Sequence, residues 1–470
     1  MATSITTAQQ LQDISDNLSG DYVLENNIDM DGFDFQPIGD SLVGFSGTFD
    51  GQGFVISNLN IRGSSTATYL GLFAKLEDGA SITDLKLDTV FTDASEFNVG
   101  ALAGRAGDCT LSNICVNNID IVVGNIAGTP DLYNIGGLIG SVSGSNVSMT
   151  NCRANGLIYQ DDGSGSNDLS YIGGLIGFID ADTDFDMTSC KSDVEITLET
   201  DVGILCVGGL IGLVQEAFTI LNSYALGNIN IFLSGGATVN SIGGVAGQLY
   251  DGGLSGMSVT NSYYVGDIYI DGGDCLGGGG FCGQIITEGD IVSCYARSNI
   301  FFSNGESFGI GGFCGQAYND SVTGNIQECF SSGTIIFRDA DDSGTGGFVG
   351  SILYSTLFKD CYSTTSLDLD VAGSGGCGGF CGQATPFDDC EFLRCYSSGT
   401  VTLVSGSSNP WVGGFVGIIT AGITTLTNCY STGALDISPT SNFEGGFIGL
   451  FDLVSLDFLI TNCAWLTTTD

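Results

Sequence analysis

The chain has 470 residues, of which 53 are acidic, only 10 are Lys or Arg and none is histidine, so its formal net charge is −43. A surface this negative repels nucleic-acid phosphates and anionic membranes, and we expect no nucleic-acid partner. The lack of histidine excludes His-based acid–base catalysis, nucleophile–His pairs and His-ligated zinc.

The first predicted element is a short amphipathic helix within Thr6–Leu18. Its sequence, "TTAQQLQDISDNL", places Leu11, Ile14 and Leu18 at helical spacing behind a threonine cap. We expect this helix to cover the first coil, so that residues 1–60 form an N-terminal cap with the first strands and residues 61–470 form a repeat β-helix. The same segment lacks the basic start and apolar core of a signal peptide, and no later stretch has the roughly 18 apolar residues of a membrane span.

After the cap, a phrase ending in Gly-Gly-Leu or Gly-Gly-Phe recurs about every 30 to 37 residues. Each repeat contains short runs of β-branched and aromatic residues broken by Gly, Ser, Asn and Asp, which predict two or three strands. Such a unit cannot bury its own apolar face and must stack on its neighbours. We therefore predict an all-β fold, a parallel β-helix (solenoid) of about 12 coils. The last glycines of the phrase are Gly104, Gly140, Gly177, Gly212, Gly247, Gly283, Gly315, Gly350, Gly382, Gly417 and Gly449.

The two residues after the paired glycines are both apolar, as in Leu138-Ile139 and Phe313-Cys314. Strand alternation would direct one of these columns outward, where it would form an apolar stripe for lateral contacts. The interpretation we favour is a bend that brings both columns inside. The glycines would permit this bend through a positive φ or a close approach between coils.

A short acidic run, "DADTDFD", resembles the start of a calcium loop. It lacks glycine at the sixth position and has Lys191 in place of glutamate at the twelfth, so we expect a solvated turn or a weak calcium site. Other acidic turns, including the one with Asp31 and Asp34, are interpreted in the same way. We predict no cofactor apart from weakly bound calcium. The candidate ligands are Asp180, Asp182, Asp184 and Asp186.

Asn-Cys-Tyr and its variants form a second recurring phrase, which small stackable residues at a coil corner explain without any chemistry. Stacked cysteines would have Cβ atoms about 4.8 Å apart, longer than the roughly 3.8 Å that a disulfide prefers. We therefore expect reduced, buried thiols among the 17 cysteines. Cys109 with Cys115, and Cys390 with Cys395, are better disulfide candidates in an oxidising compartment.

The phrases "IGGLIG", "VGGLIG", "LNSYALGNI" and "TNSYYVGDI" resemble the GLUG motif, a repeat of bacterial surface proteins that include adhesins and the non-catalytic parts of some IgA-protease-like proteins. The opening "DYVLENNIDM" and "FSGTFDGQG" are similar to the segment that precedes such repeats. Together these cover almost the whole chain. The resemblance implies a right-handed parallel β-helix on an exported or particle-surface protein and implies no reaction.

These observations favour a non-catalytic structural or adhesive protein, extracellular and displayed on a cell surface or virion, or assembled into fibres. We expect self-association through an open strand edge near "LITNCAWLTTTD" or through an apolar stripe, with a glycan or host-surface ligand also possible. The alternative is a carbohydrate-binding or carbohydrate-cleaving β-helix, which needs only two carboxylates roughly 5 to 10 Å apart. A groove with clustered aromatic rings and carboxylates would favour that alternative.

Overall fold

Short parallel strands, from two to eleven residues long, make up nearly all of the protein that the structure describes. The computed structural model contains two compact units, Met1–Asn228 (unit 1) and Ile229–Asp470 (unit 2). The all-β, parallel solenoid class predicted from the repeats is confirmed. The described residues are 1–62, 68–94, 98–123, 133–163, 169–180, 184–215, 217–251, 256–318, 325–371, 375–386, 389–403, 410–420, 422, 424–437, 444–451 and 458–466.

Each turn contributes strands to three faces, which we name A, B and C. One turn of unit 1 runs from Asn98–Gly100 on face B to Ala103–Ala106 on face C, then to Cys109–Ser112 on face A and back to face B with Cys115–Val123. Face B therefore receives two strands from most turns.

In unit 1 each face contains the equivalent strands of successive turns. Face A contains Thr3–Ile5, Asp21–Leu24, Thr48–Asp50, Ala80–Thr83, Cys109–Ser112, Asn146–Thr150, Asp184–Thr188 and Phe218–Leu221. Face B contains Ile28–Asp29, Val55–Ile61, Tyr69–Leu70, Lys86–Ala94, Asn98–Gly100, Cys115–Val123, Asn134–Gly136, Arg153–Gly163, Leu169–Gly173, Lys191–Thr200, Ile204–Gly208 and Tyr224–Ala225. Face C contains Phe73–Leu76, Ala103–Ala106, Ile139–Val142, Ile176–Ile179 and Ile211–Gln215.

Unit 2 repeats the same three faces with its own strands. Face A contains Ser258–Thr260, Asp290–Val292, Asn325–Gln327, Thr356–Lys359, Cys390–Leu393, Thr424–Thr427 and Phe458–Thr461. Face B contains Ile229–Leu233, Thr238–Gly243, Tyr263–Val265, Ile268–Asp271, Asp274–Gly279, Tyr295–Arg297, Ile300–Ser303, Glu306–Ser307, Ile310–Gly311, Phe330–Ser332, Thr334–Asp342, Gly344–Gly346, Tyr362–Ser363, Ser366–Val371, Gly376–Gly378, Tyr396–Ser397, Val401–Leu403, Trp411–Gly413, Tyr430–Ser431, Leu435–Ile437, Glu444–Gly445 and Ala464–Trp465. Face C contains Ala246–Tyr250, Cys282–Ile286, Cys314–Tyr318, Val349–Ile352, Cys381–Ala384, Val416–Ile419 and Ile448–Phe451.

Successive turns pair in parallel, and equivalent repeat positions lie side by side. On face C, for example, Ala103 pairs with Ile139, which in turn pairs with Ile176. The solenoid has about 10 turns, so the expected count of about 12 was slightly too high.

The predicted N-terminal helix is present but shorter than Thr6–Leu18. It comprises Ala8–Gln12, and a 3-10 turn at Asp13–Asp16 follows it. Thr7 is the N-cap, and its side-chain oxygen accepts a hydrogen bond from the backbone N–H of Gln10 at 3.2 Å. Leu11 and Ile14 are fully buried, which fits the predicted covering role. The division of the chain after residue 60 stays a prediction.

The paired glycines produce the bend that we favoured. Leu138 and Ile139 are adjacent in sequence and both fully buried, so this column does not form an outward apolar stripe. The glycines are needed for close approach, because a Cβ atom on Gly311 would lie 1.9 Å from the carbonyl oxygen of Cys314. A positive φ is therefore not their role at this bend.

The corner before each cysteine or serine does require a left-handed backbone. Asn151 and Asn428, for example, have φ angles of 53° and 56°. Asparagine tolerates this conformation better than most residues with a side chain, which explains the recurring Asn of the second phrase. The amides also join adjacent turns, because Asn151 Nδ2 donates to Asn113 Oδ1 at 2.7 Å.

In unit 2 the first of the two apolar columns, directly after the paired glycines, is a buried ladder of phenylalanine rings with centroid separations of 4.6 to 5.1 Å. Phe348 stacks between two neighbours of the ladder and meets Phe358 edge-on at 5.9 Å. Each such pair adds about 0.5–1.5 kcal/mol beyond the burial of area. The ladder consists of Phe281, Phe313, Phe348, Phe380, Phe415 and Phe447.

Phe348→Ala should lower the free energy of unfolding by about 3–5 kcal/mol, because the substitution leaves a cavity between two stacked rings. Phe308→Ala is the matched control, since the side chain of Phe308 is 43% exposed, and should change it by no more than about 0.5 kcal/mol. Denaturant titration followed by circular dichroism measures both. Similar midpoints for the two variants would contradict the buried ladder.

Gly311→Ala should also be destabilising, by about 1–3 kcal/mol, because the new methyl group has no room beside a backbone carbonyl. Gly236→Ala separates crowding from backbone preference, since Gly236 has a φ of 85° and open space around it. Its cost should stay near 1 kcal/mol. If the thermal midpoint of Gly311→Ala were the higher of the two, close approach would not be the reason for the paired glycines.

Candidate functional site

Six outward-facing rings of unit 2, which we call the tyrosine ladder, stack along face B. Successive centroids are 4.7 to 4.9 Å apart and successive planes differ by only 2 to 7°. The ladder follows the corner residues, because each ring is the first residue after the corner cysteine or serine. Its members are Tyr263, Tyr295, Phe330, Tyr362, Tyr396 and Tyr430.

The tyrosine ladder is rigid yet reachable from solvent. Its rings are partly exposed, and Tyr430 reaches 43% exposure. The guanidinium of Arg297 lies over two rings of the ladder, 5.1 Å from the centroid of Tyr295 and 5.7 Å from that of Phe330. Partial burial, together with the neighbouring Tyr362 and Tyr430, raises the pKa of Tyr396. The row therefore presents the edges of stacked rings to solvent.

A column of buried cysteines lies beneath the tyrosine ladder. Each thiol occupies the corner and donates to backbone carbonyls, as Cys361 Sγ does to Ile326 O at 3.2 Å. Within the described residues, which include all 17 cysteines, no thiol forms a disulfide. The predicted buried thiols are confirmed, and the two alternative disulfide pairs are not formed. The column contains the buried Cys294, Cys329, Cys361, Cys395 and Cys429 and the partly buried Cys463.

Burial also disfavours the thiolate form of some of these cysteines. It raises the pKa of Cys109 and of Cys275 to about 12 in each case. Because the thiolate is the nucleophile and the metal ligand, these side chains are poor candidates for covalent catalysis. Cys463 is the exception in exposure, being only partly buried.

Unit 1 contains a cavity of about 410 Å³ between the loop at residues 30–35 and the outer surface of face B. The loop is held by two buried side chains, Met30 and Phe35, each 2% exposed. Asp29 fixes its start, since its carboxylate accepts hydrogen bonds from Asp31 N at 3.0 Å and Asn58 Nδ2 at 2.9 Å, which lower the pKa of Asp29. The cavity is lined by Met30, Asp31, Gly32, Phe33, Asp34, Phe35, Asn58, Leu59, Asn60, Arg62, Thr89 and Phe91.

A second depression, of about 290 Å³, lies in unit 2 along the outward side of face C. Its floor is a row of amides, in which Gln284 Nε2 donates to Gln316 Oε1 at 2.8 Å and the Tyr318 hydroxyl donates to the same oxygen at 2.9 Å. Its walls include Phe308 and Leu353, and its lining contains no carboxylate among the described residues. It therefore lacks the combination that would favour carbohydrate cleavage.

The proposed calcium ligands lie on one strand and in the segment that precedes it. Asp184 and Asp186 are exposed on the outward side of Asp184–Thr188, and Asp180 precedes that strand. Asp182 lies outside the described residues. Across the part of the chain that the structure describes, no group of three acidic, cysteine or histidine side chains is placed to hold a metal ion. Calcium binding here stays a prediction.

The cavity residues were visible in the sequence only as an acidic turn. Asp31 and Asp34 were interpreted as solvent-facing carboxylates, and nothing in their spacing indicated that Phe91, two turns later in sequence, would lie in the same cavity. Turn-to-turn stacking brings them together. Among the described residues, no helix is long and apolar enough to cross a membrane.

With the strands and ladders described, the protein is a parallel β-solenoid carrying a GLUG repeat. Residues 306–336 match the family model described as the GLUG motif. This match confirms the resemblance stated from the sequence.

Two curated relatives are named immunoglobulin A1 protease. The one from Streptococcus sanguinis is 28% identical over 297 residues, and the one from Streptococcus pneumoniae is 27% identical over 263 residues. These alignments cover 61% and 51% of this chain but only 14% and 11% of the relatives. The protein named halomucin from Haloquadratum walsbyi is 34% identical over 108 residues, which are 21% of this chain and 1% of halomucin.

A crystal structure from Bacteroides ovatus, provisionally named as an immunoglobulin A1 protease, aligns with 72% of this chain and 77% of its own. The sequence identity of that alignment is 17% and its TM-score is 0.31.

The expectation that this protein is not an enzyme is contradicted by its relatives, because they are named as proteases. That expectation relied on the missing histidine and on the lack of a recognisable catalytic set. Missing histidine excludes only His-dependent chemistry, and nucleophile–lysine pairs, N-terminal threonines and carboxylate pairs need none.

Because nearly all thiols are buried, we expect few of them to be labelled in the folded protein at pH 8. With an aromatic disulfide reagent, the folded protein should react at Cys463 first, and the other 16 cysteines should react only after denaturation. Exclusion of the reagent from the buried thiols acts in this direction. Cys463→Ser should remove the early phase, whereas rapid reaction of several thiols in the folded protein would contradict the buried column.

Proposed function

We propose that this chain is a surface-displayed β-solenoid that serves as a scaffold of an immunoglobulin A1 protease-like protein, with the tyrosine ladder contacting the protein substrate. The observation that carries the proposal is the row of six aligned, partly exposed rings in unit 2. The class of protein in this proposal comes from the relatives named immunoglobulin A1 protease. Because the alignments cover only small fractions of those relatives, proteolysis by the whole protein is proposed along with the scaffold role.

The tyrosine ladder has the chemistry of a protein-contact surface. Tyrosine supplies a large, rigid contact area with a hydroxyl for hydrogen bonding, and little side-chain entropy is lost on binding because stacking already restrains the rings. Aromatic residues and arginine are enriched among interface residues that dominate binding energy, and Arg297 lies over two rings of this row. The ladder is thus preorganised before a partner arrives.

Surface display and self-association belong to the same proposal. The negative charge of −43 favours solubility outside a cell. Apolar side chains near residue 460 are exposed, Leu459 at 57% and Trp465 at 54%, and they offer a contact for a second copy. Sedimentation velocity on the purified chain measures this association independently of substrate binding.

Immobilised immunoglobulin A1 tests the main proposal, with binding followed by surface plasmon resonance and cleavage followed on gels. We expect the wild-type chain to bind. The double variant Tyr362→Ala/Tyr396→Ala should bind at least about tenfold more weakly, since two rings at the centre of the row are removed. Tyr250→Ala is the matched control, because Tyr250 is exposed on face C and lies outside the ladder.

Two further variants and readouts separate binding from folding. Tyr362→Phe/Tyr396→Phe keeps the stacked rings and should retain most of the affinity. Circular dichroism melts establish that each variant is folded. Absence of both binding and cleavage by the wild-type chain, or an equal loss in Tyr250→Ala, would contradict the proposal.

A further inference from the structure

The cavity of unit 1 is lined by carboxylates, a guanidinium and aromatic rings, and none of these side chains is needed to form the solenoid core. Carboxylates come from Asp31 and Asp34 on the loop, and a guanidinium comes from Arg62 at the end of a face B strand. Rings come from Phe33 on the loop and Phe91 on face B. The cavity volume of about 410 Å³ lies in the range of about 300–1,000 Å³ typical of small-molecule sites.

The site is built before any ligand arrives. Met30 N donates to Ser57 O at 2.9 Å and Phe33 N donates to Met30 O at 3.0 Å, so the loop is fixed to face B. On the opposite wall, Asn60 pairs in register with Phe91 of the next turn, which places an amide beside a ring on the outward side. Arg62 Nε donates to Asn60 Oδ1 at 3.2 Å, which orients both side chains.

The two loop carboxylates keep their hydrogen-bonding capacity free. Within the described residues, neither the Asp31 nor the Asp34 side chain accepts a hydrogen bond or forms an ion pair, in contrast to Asp29 beside them. Both are exposed to the cavity mouth, while Phe33 is half-buried. A ligand with several hydroxyl donors would therefore find unused acceptors next to an apolar ring.

The charge of the lining narrows the ligand class. Two carboxylates and one guanidinium leave a net charge of −1 on the lining residues, which disfavours phosphates and acidic sugars. No third acid joins the pair as a metal ligand among the described residues. A pyranose ring satisfies each group, because its hydroxyls donate to carboxylates, accept from the amide and guanidinium, and its C–H face packs on an aromatic ring.

We propose that the cavity of unit 1 binds a neutral pyranose unit of a glycan. Asp31 and Asp34 accept hydrogen bonds from adjacent hydroxyls, Asn60 and Arg62 donate to ring-side oxygens, and Phe33 packs against the C–H face. This binding site goes beyond the proposed scaffold role and lies in the other unit from the tyrosine ladder. Its failure would leave the ladder proposal untouched.

Saturation-transfer NMR on the full chain tests the site with the methyl glycosides of glucose, galactose and mannose as probes. At least one neutral glycoside should show transfer to its ring protons. Inorganic phosphate and glucuronate are the charged comparison ligands and should compete at least tenfold more weakly. Calcium chloride should not displace the glycoside.

Variants locate the binding. Asp31→Asn/Asp34→Asn and Phe33→Ala should each weaken glycoside binding at least tenfold, whereas the matched controls Asp436→Asn and Phe308→Ala, both in unit 2, should bind as the wild type does. Phe33→Tyr keeps a ring and should retain binding, which distinguishes loss of the ring from loss of the fold. No transfer to any neutral glycoside, displacement by calcium, or cavity variants that bind as the wild type does would each overturn the proposal.

Discussion

Parallel, in-register pairing between turns is the constraint on which every other feature depends. Because strands of neighbouring turns are spaced at about 4.8 Å, a residue lies directly beside its counterpart one repeat away. Like side chains then form continuous columns, and stacking of aromatic rings at that spacing is favourable. The phenylalanine ladder inside unit 2 and the tyrosine ladder outside it are two results of the same register.

The register also dictates which residues the corners accept. A left-handed corner favours asparagine, as at Asn151 and Asn428, although Glu328 and Arg394 adopt the same conformation in other turns. The crowded bend requires paired glycines, as at Gly311. The position after this corner is buried and small, so most turns place a cysteine or a serine there. The cysteines are therefore retained by packing, and the raised pKa of a thiol such as Cys275 follows from the same burial.

Periodicity in the sequence was sufficient for the fold, because each repeat encodes the same strands and corners. It predicted the parallel solenoid, the buried cysteine column, the inward bend at residues such as Leu138 and Ile139, and the helix capped by Thr7. It slightly overestimated the number of turns. The helix was expected to continue to Leu18 because apolar spacing does not reveal where a 3-10 turn takes over.

The candidate sites were harder to predict, since they depend on which outward positions adjoin across turns. Phe33 and Phe91 are far apart in sequence and share a cavity only because the loop at residues 30–35 folds over face B. The expectation of no enzymatic role relied on an absent residue type, and the relatives named as proteases contradict it. A missing histidine constrains mechanism without defining function.

A double-mutant cycle on the buried ladder tests the in-register claim most directly. Phe348→Leu and Phe380→Leu alter rings in contact at 4.8 Å, whereas Phe313 and Phe380 are two turns apart. The register predicts a coupling free energy of about 0.5–1.5 kcal/mol for the adjacent pair and additivity within about 0.5 kcal/mol for the separated pair. Equal coupling in both pairs, or none in the adjacent pair, would contradict the stacked solenoid.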